Sequence, residues 1–250
     1  MPDAIFDDPR LAAVYDPLDP DRSDLEGYLA IAEEFGARTV LDVGCGTGTL
    51  AVMLAARGVR VVGVDPAGAS LEVARRKPGA DLVTWVHGTA ADLPALSADL
   101  AVMTANVAQV FLTDQEWSDT LVAVRRCLRP GARMAFETRD PRRRAWERWN
   151  PEDSLVTVEI PGIGMVSSWE EVRRVDLPFV TFDSHTVFHH ADTDDEDLLS
   201  TSTLRFRSSD EVAASLLAAG FCDVEIRDLF YRPGQGWVFV AANGTAPAAP

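Results

Sequence analysis

The chain has 250 residues and a formal net charge of −16, with 39 acidic side chains against 23 basic ones. That balance speaks against nucleic acid and anionic membrane surfaces as partners, because both are bound nonspecifically through clustered Lys and Arg. The cysteines Cys45, Cys127 and Cys222 are widely spaced and odd in number, which reads as free thiols in a reducing compartment.

The opening stretch MPDAIFDDPR has no positive region followed by an apolar run, and no window approaches about 18 uninterrupted apolar residues. A cytoplasmic protein is therefore expected. Residues 1–37 carry only a weak pattern, read as a helix or two forming a cap. From 38 onward short apolar strands alternate with amphipathic stretches, the pattern of repeated βαβ units and a parallel sheet. Strands are expected at 39–43, 59–65, 82–88, 100–106 and 132–138, and helices at 48–58, 69–77 and 117–128.

The pattern changes after 153. Four β-like runs between 154 and 207, several alternating apolar and polar residues, predict an antiparallel insert. The acidic tip DTDDED (192–197) is expected to form a hairpin loop. In the third run Thr181, Asp183, His185, Val187 and His189 share one face, and this mixed polar face is the expected pocket wall. A helix follows at 208–221, where Ser208 and Glu211 have capping-box spacing. Two final strands are joined by RPGQG, and 244–250 are expected to be disordered.

The functional signal is DVGCGTGT at 42–49. A glycine-rich bend between strand and helix lets a ligand lie directly against the backbone. Asp65 ends the next strand about 20 residues on, the separation at which a carboxylate meets a ribose diol. A carboxylate accepts two hydroxyl protons and repels phosphate, so the ligand should carry an adenosine with free 2′ and 3′ hydroxyls. The dinucleotide fingerprint Gly-x-Gly-x-x-Gly is not met, because Thr49 holds its last position and the third glycine is Gly48.

At this point VLDVGCGTGTLA, VVGVDPAGASLEVAR, VHGTAADLP, DLAVMTANVAQVF and CLRPGARMAFET, in that order over about 38–140, resemble class I S-adenosylmethionine-dependent methyltransferases. The resemblance implies an α/β, Rossmann-like, doubly wound sheet of seven strands with the last one antiparallel. It would comprise 38–153 and 208–243, with 154–207 as an antiparallel β insert covering the substrate. It further implies S-adenosyl-L-methionine as cofactor, contacted by Tyr15, Asp42, Gly44, Cys45, Gly46, Asp65, Pro66, Thr89, Ala90 and Ala105. Many members have an acidic residue where Thr89 stands, so Asp92 is a possible substitute there, with a loop cap as the alternative.

Asn106, Gln109 and Arg139 are candidates for binding the acceptor, with an ion pair to Glu137 or Asp140 as the competing role of Arg139. Glu137 and His185 are candidate catalytic groups, and no metal ligand set is expected. The function so implied is methyl transfer to N or O of a small metabolite by a monomer or homodimer. A nicotinamide-dependent oxidoreductase and a non-catalytic adenosyl-ligand-binding protein remain the alternatives.

Overall fold

The computed structural model describes residues 2–190 and 193–244. The expected tail therefore falls almost wholly outside the described residues, as does Asp192 of the acidic tip. The chain begins with α1 (Ala4–Asp7), α2 (Pro9–Leu18) and α3 (Glu26–Glu34). Helix α2 starts where Asp8 accepts from the Arg10 and Leu11 amides, with Pro9 in the first turn where no donor is needed.

There follow β1 (Thr39–Val43), α4 (Thr49–Ala55), β2 (Arg60–Asp65), α5 (Gly68–Arg76), β3 (Val83–His87), β4 (Ala98–Met103), α6 (Asp114–Cys127) and β5 (Leu128–Arg139). Helix α6 starts three residues earlier than its apolar pattern predicts. Thr113 and Glu116 close a capping box there, so the polar turn Asp114-Gln115-Glu116 is helical without facing the core. The short α7 (Pro151–Ser154) leads into β6 (Val156–Ile160), β7 (Gly164–Asp176), β8 (Phe179–Phe188) and β9 (Glu196–Arg205). Helix α8 (Ser209–Ala218), β10 (Phe221–Asp228) and β11 (Gly236–Asn243) complete the fold.

Seven strands form one sheet in the order β10-β11-β5-β4-β1-β2-β3. Strand β11 runs antiparallel to both β5 and β10, and the other pairings are parallel. Both faces are covered over the central strands, which is why β1, β4 and the second half of β5 read as nearly continuous apolar runs. On one face Leu41, Met103, Trp117, Leu121, Phe136 and Phe239 pack together. On the other Val40, Leu50, Leu54, Val102, Val240 and Tyr28 do. Strand order reverses between β1 and β4, so the segments leaving those two strands diverge and open a crevice at the carboxyl edge.

A second, antiparallel sheet has the order β6-β7-β8-β9. Its orientation corrects the expectation about the pocket wall. Val180, on the even-numbered face of β8, packs with Trp146 and Phe206; Phe182 meets Trp149 at 4.6 Å, and Phe188 joins Val14 of α2. Polar odd-numbered residues find partners within the sheet instead, although His185 Nε2 has none among the described residues. Asp183 bonds Arg173 and Thr201, and His185 bonds Asp197 while stacking on Trp169.

The N-terminal helices bridge the two sheets. Toward the second sheet, Ile5 N–H donates to Ser200 Oγ at 2.9 Å and Arg10 pairs with Glu196 at 2.8 Å. Toward the first, Asp16 accepts from Thr47 Oγ1 at 2.7 Å and pairs at 2.6 Å with Lys77, the one lysine of the chain.

Candidate active site

The bend after β1 is folded onto β2 by its own amides. Gly44 and Cys45 N–H both donate to the Val64 carbonyl, at 2.8 and 3.2 Å. Two of its glycines do different work. Gly48 (φ 76°) is close-packed, since a Cβ there would lie 2.3 Å from the Trp85 ring. Gly46 (φ 52°) faces open space, with nothing within 4 Å of where a Cβ would stand. Beside that opening lies Asp65. One of its oxygens accepts from Gly46 N–H at 2.7 Å and the other from Ala67 N–H at 2.7 Å. Each oxygen keeps further lone pairs, enough for one hydroxyl apiece. Burial raises the Asp65 pKa, and the two backbone amides oppose the rise.

Across the crevice, the chain leaves β4 through two consecutive left-handed residues, Ala105 (φ 51°) and Asn106 (φ 62°). Such conformations cost roughly 1–3 kcal/mol each for residues with a side chain and must be held in place. Glu137, at the end of β5, supplies the hold by accepting from Asn106 N–H at 3.2 Å. The same carboxylate accepts from Tyr28 Oη at 2.8 Å and Tyr231 Oη at 3.1 Å. Burial pushes its pKa up against those hydrogen bonds.

Asp42 lies beneath the bend, 1% exposed, and its Oδ1 has no partner among the described residues. Burial, reinforced by the Asp65 charge, pushes its pKa from 3.8 up to about 7, a difference of roughly 4 kcal/mol. The folded protein thus holds the proton more tightly than the unfolded chain does. Stability contributed by the neutral carboxyl is present at pH 4 and lost as pH rises toward 7. Asp42→Asn is accordingly expected to raise the urea midpoint more at pH 8 than at pH 5. Equal shifts at both pH values would show that the carboxyl does not ionise in this range.

Other expected site residues lie around the crevice. Tyr15 of α2 packs on Phe6, with 5.8 Å between ring centroids, and burial pushes its hydroxyl up to about 12. Cys45 is buried and reduced, Pro66 is exposed beyond β2, and Ala90 is buried after β3. Thr89 donates its hydroxyl to Asp92 at 2.8 Å within a capping box, so Asp92 is a loop cap.

Gln109 is 1% exposed. Its oxygen accepts from Arg139 Nη1 at 3.2 Å, while its Nε2 has no partner among the described residues. Arg139 thus forms neither expected ion pair; Asp140 pairs with Arg142 instead. His185 is not brought to the crevice. It stands on the sheet face turned from α2, with Nδ1 2.8 Å from Asp197. Among the described residues no group of three or more His, Cys, Asp or Glu side chains is placed to hold a metal ion.

The structure adds Tyr28, Tyr231, Trp149 and Glu170 to the site. Arg139 Cζ lies 5.5 Å from the Trp149 ring. Glu170 pairs in register with Ser184, which puts it on the inward face of the second sheet. Burial raises its pKa, and the charges of Arg139 and Arg232 oppose the rise. One signal was available: the chain has only three tyrosines, and Tyr15, Tyr28 and Tyr231 all stand here.

These features suit an adenosylated sulfonium. Unpartnered acceptors at Asp42 Oδ1 and Asn106 Oδ1 would meet positive charge or amino protons. The open side of Gly46 leaves room against the backbone, and Asp65 offers two oxygens to a diol.

Residues 40–131 match the family described as "Methyltransferase domain". The cypemycin N-terminal methyltransferase of a Streptomyces species is 33% identical over 118 residues, covering 47% of this chain and 48% of that protein. An uncharacterised methyltransferase of Mycobacterium tuberculosis is 40% identical over 111 residues, covering 42% of each. The chain thus spans about half the length of the curated relatives it matches. Among solved structures, the CcbJ methyltransferase from Streptomyces caelestis superposes with a TM-score of 0.74 at 25% identity, covering 94% of this chain and 96% of that one. The sugar N-methyltransferase KedS8 from a Streptoalloteichus species shares the fold, with a TM-score of 0.72, 21% identity and coverage of 90% and 88%.

Proposed function

We propose that this chain, whose residues 40–131 match a methyltransferase domain, transfers a methyl group from S-adenosyl-L-methionine to N or O of a small-molecule acceptor. The observation that carries the reading is the Asp65 carboxylate, pinned by two backbone amides beside the open side of Gly46.

When bound, the cofactor supplies an activated methyl group with a neutral thioether as leaving group. The protein's task is then mainly to hold the acceptor close and in line. Asp65 takes the ribose, the Gly44–Gly46 bend and Asp42 take the methionyl part, and Thr89 and Ala90 border the adenine. Glu137 fixes the left-handed Ala105–Asn106 segment and, through two hydroxyls, ties α3 and the β10–β11 connection to the site. It acts as a positioning residue, since all three of its donors come from the protein. The second sheet and α2 cover the crevice and exclude water, which strengthens every charge interaction within it. The polar corner formed by buried Gln109 and half-buried Arg139 faces the acceptor.

Calorimetry with S-adenosylhomocysteine and with NAD tests the cofactor, and binding of NAD alone would end the reading. Transfer of radiolabelled methyl to a metabolite extract tests the reaction. Tight binding of S-adenosylhomocysteine with no label incorporated would point to a non-catalytic binder.

A further inference from the structure

The acceptor corner holds a cation that no carboxylate contacts directly, although the charges of Glu170 and Glu137 act on it from farther away. Among the described residues no carboxylate oxygen stands within 4.0 Å of the Arg139 guanidinium. Its side-chain hydrogen bond goes to a neutral amide oxygen, that of Gln109 at 3.2 Å. Most charged side chains buried in proteins are paired, and a guanidinium fork fits a planar carboxylate through two parallel hydrogen bonds. Gln109 adds a second open donor. Its oxygen is fixed on Arg139, so its Nε2, buried and unpartnered, is turned elsewhere in the same corner.

Glu170 supplies charge of the other sign. Register with Ser184 places it on the inward face of β7, where Val172 and Phe182 continue the same face toward Trp149. Arg139 and Glu170 each feel the other's charge, yet they do not touch.

On the reading that the chain is a methyltransferase, we infer that its acceptor is an amino-acid-like amine. Its carboxylate occupies the Arg139 fork with a further bond from Gln109 Nε2, and its amino group faces Glu170. The acceptor atom is then nitrogen: the ammonium gives one proton to the Glu170 carboxylate, and the freed lone pair forms the N–CH3 bond as the C–S bond breaks to leave a neutral thioether. An amine without a carboxylate leaves the fork and the Gln109 amide unsatisfied, and a site built around polar groups rejects analogues that lack the matching group strongly.

The test is methyl transfer from tritiated S-adenosylmethionine to a panel of α-amino acids, their carboxamides and the corresponding decarboxylated amines. The acids are expected to exceed the carboxamides and the amines, both of which lack the carboxylate, by about 100-fold or more in kcat/KM. Gln109→Glu keeps side-chain shape but fills the fork with an internal carboxylate, and it should bring that ratio below about 3-fold. Arg139→Lys, which keeps the charge and loses the planar fork, should lower the ratio through KM rather than kcat. Equal use of acids, amides and amines overturns the assignment. So does transfer to no panel member by a protein that binds S-adenosylhomocysteine, an outcome that leaves the cofactor reading intact. Loss of S-adenosylhomocysteine binding as well takes down both.

Discussion

Gly46→Val is expected to weaken S-adenosylhomocysteine binding by about 100-fold or more while the protein still folds, and Gly46→Ala by about 10-fold. The asymmetry comes from what surrounds the position. In the protein alone an added Cβ meets nothing within 4 Å, so the substitution costs only the strain of a positive φ. That strain is on the order of 1–3 kcal/mol, and a branched side chain sits at the upper end. A ligand lying against the backbone occupies that same open side. The loss should therefore grow with side-chain volume in binding, while in unfolding it stays within that backbone strain, larger for valine than for alanine. Calorimetry paired with urea unfolding of both variants measures each. Unchanged affinity in the valine variant would place the ligand elsewhere. Gly48→Ala offers the contrast, because its Cβ would enter the Trp85 ring and the damage should appear in stability first.

The second large effect is expected at Asp65. Removing its side chain in Asp65→Ala takes away both ribose acceptors and strips the Gly46 and Ala67 amides of their partner. Each stranded buried donor costs about 1–3 kcal/mol. Binding of S-adenosylhomocysteine should fall by about 100-fold, the equivalent of roughly 3 kcal/mol. The diagnostic readout is a ratio. The unmodified protein should prefer adenosine to its 2′-deoxy analogue, and the alanine variant should bind the two alike. A preference that survives the substitution would assign the ribose to another group.

Local chemistry explains which parts of this architecture are legible in the amino-acid sequence. Strands β1, β2 and β4 are bounded by glycine, proline or charged turns and are largely buried on both faces, so their apolar runs stand out. The bend and Asp65 are legible for a related reason: main-chain geometry writes itself into glycine spacing, and a strand end fixes one acidic residue. Side-chain meetings between distant elements leave no such trace. Tyr28 reaches Glu137 across 109 residues of sequence. In its own helix it occupies an ordinary core position, so nothing local announces the contact.

The second sheet misleads for another reason. Both faces of β8 mix polar and apolar residues, and the face carrying His185 and Asp183 looks functional. Those groups are spent on Asp197, Arg173 and Thr201 in neighbouring strands. The inward face holds Ser184 and Thr186, whose hydroxyls look bland until the direction of packing is known. Arg139 illustrates the same limit. Its neighbours in sequence offered two carboxylates, and the fold gave one to tyrosines and the other to Arg142.

The helices α1 and α2 are riveted at both ends of their span, to β9 through Ser200 and Glu196 and to the glycine bend through Asp16. Such a double-ended clasp has no independent halves. Strain applied at the nucleoside end is therefore carried by the same backbone that braces the second sheet.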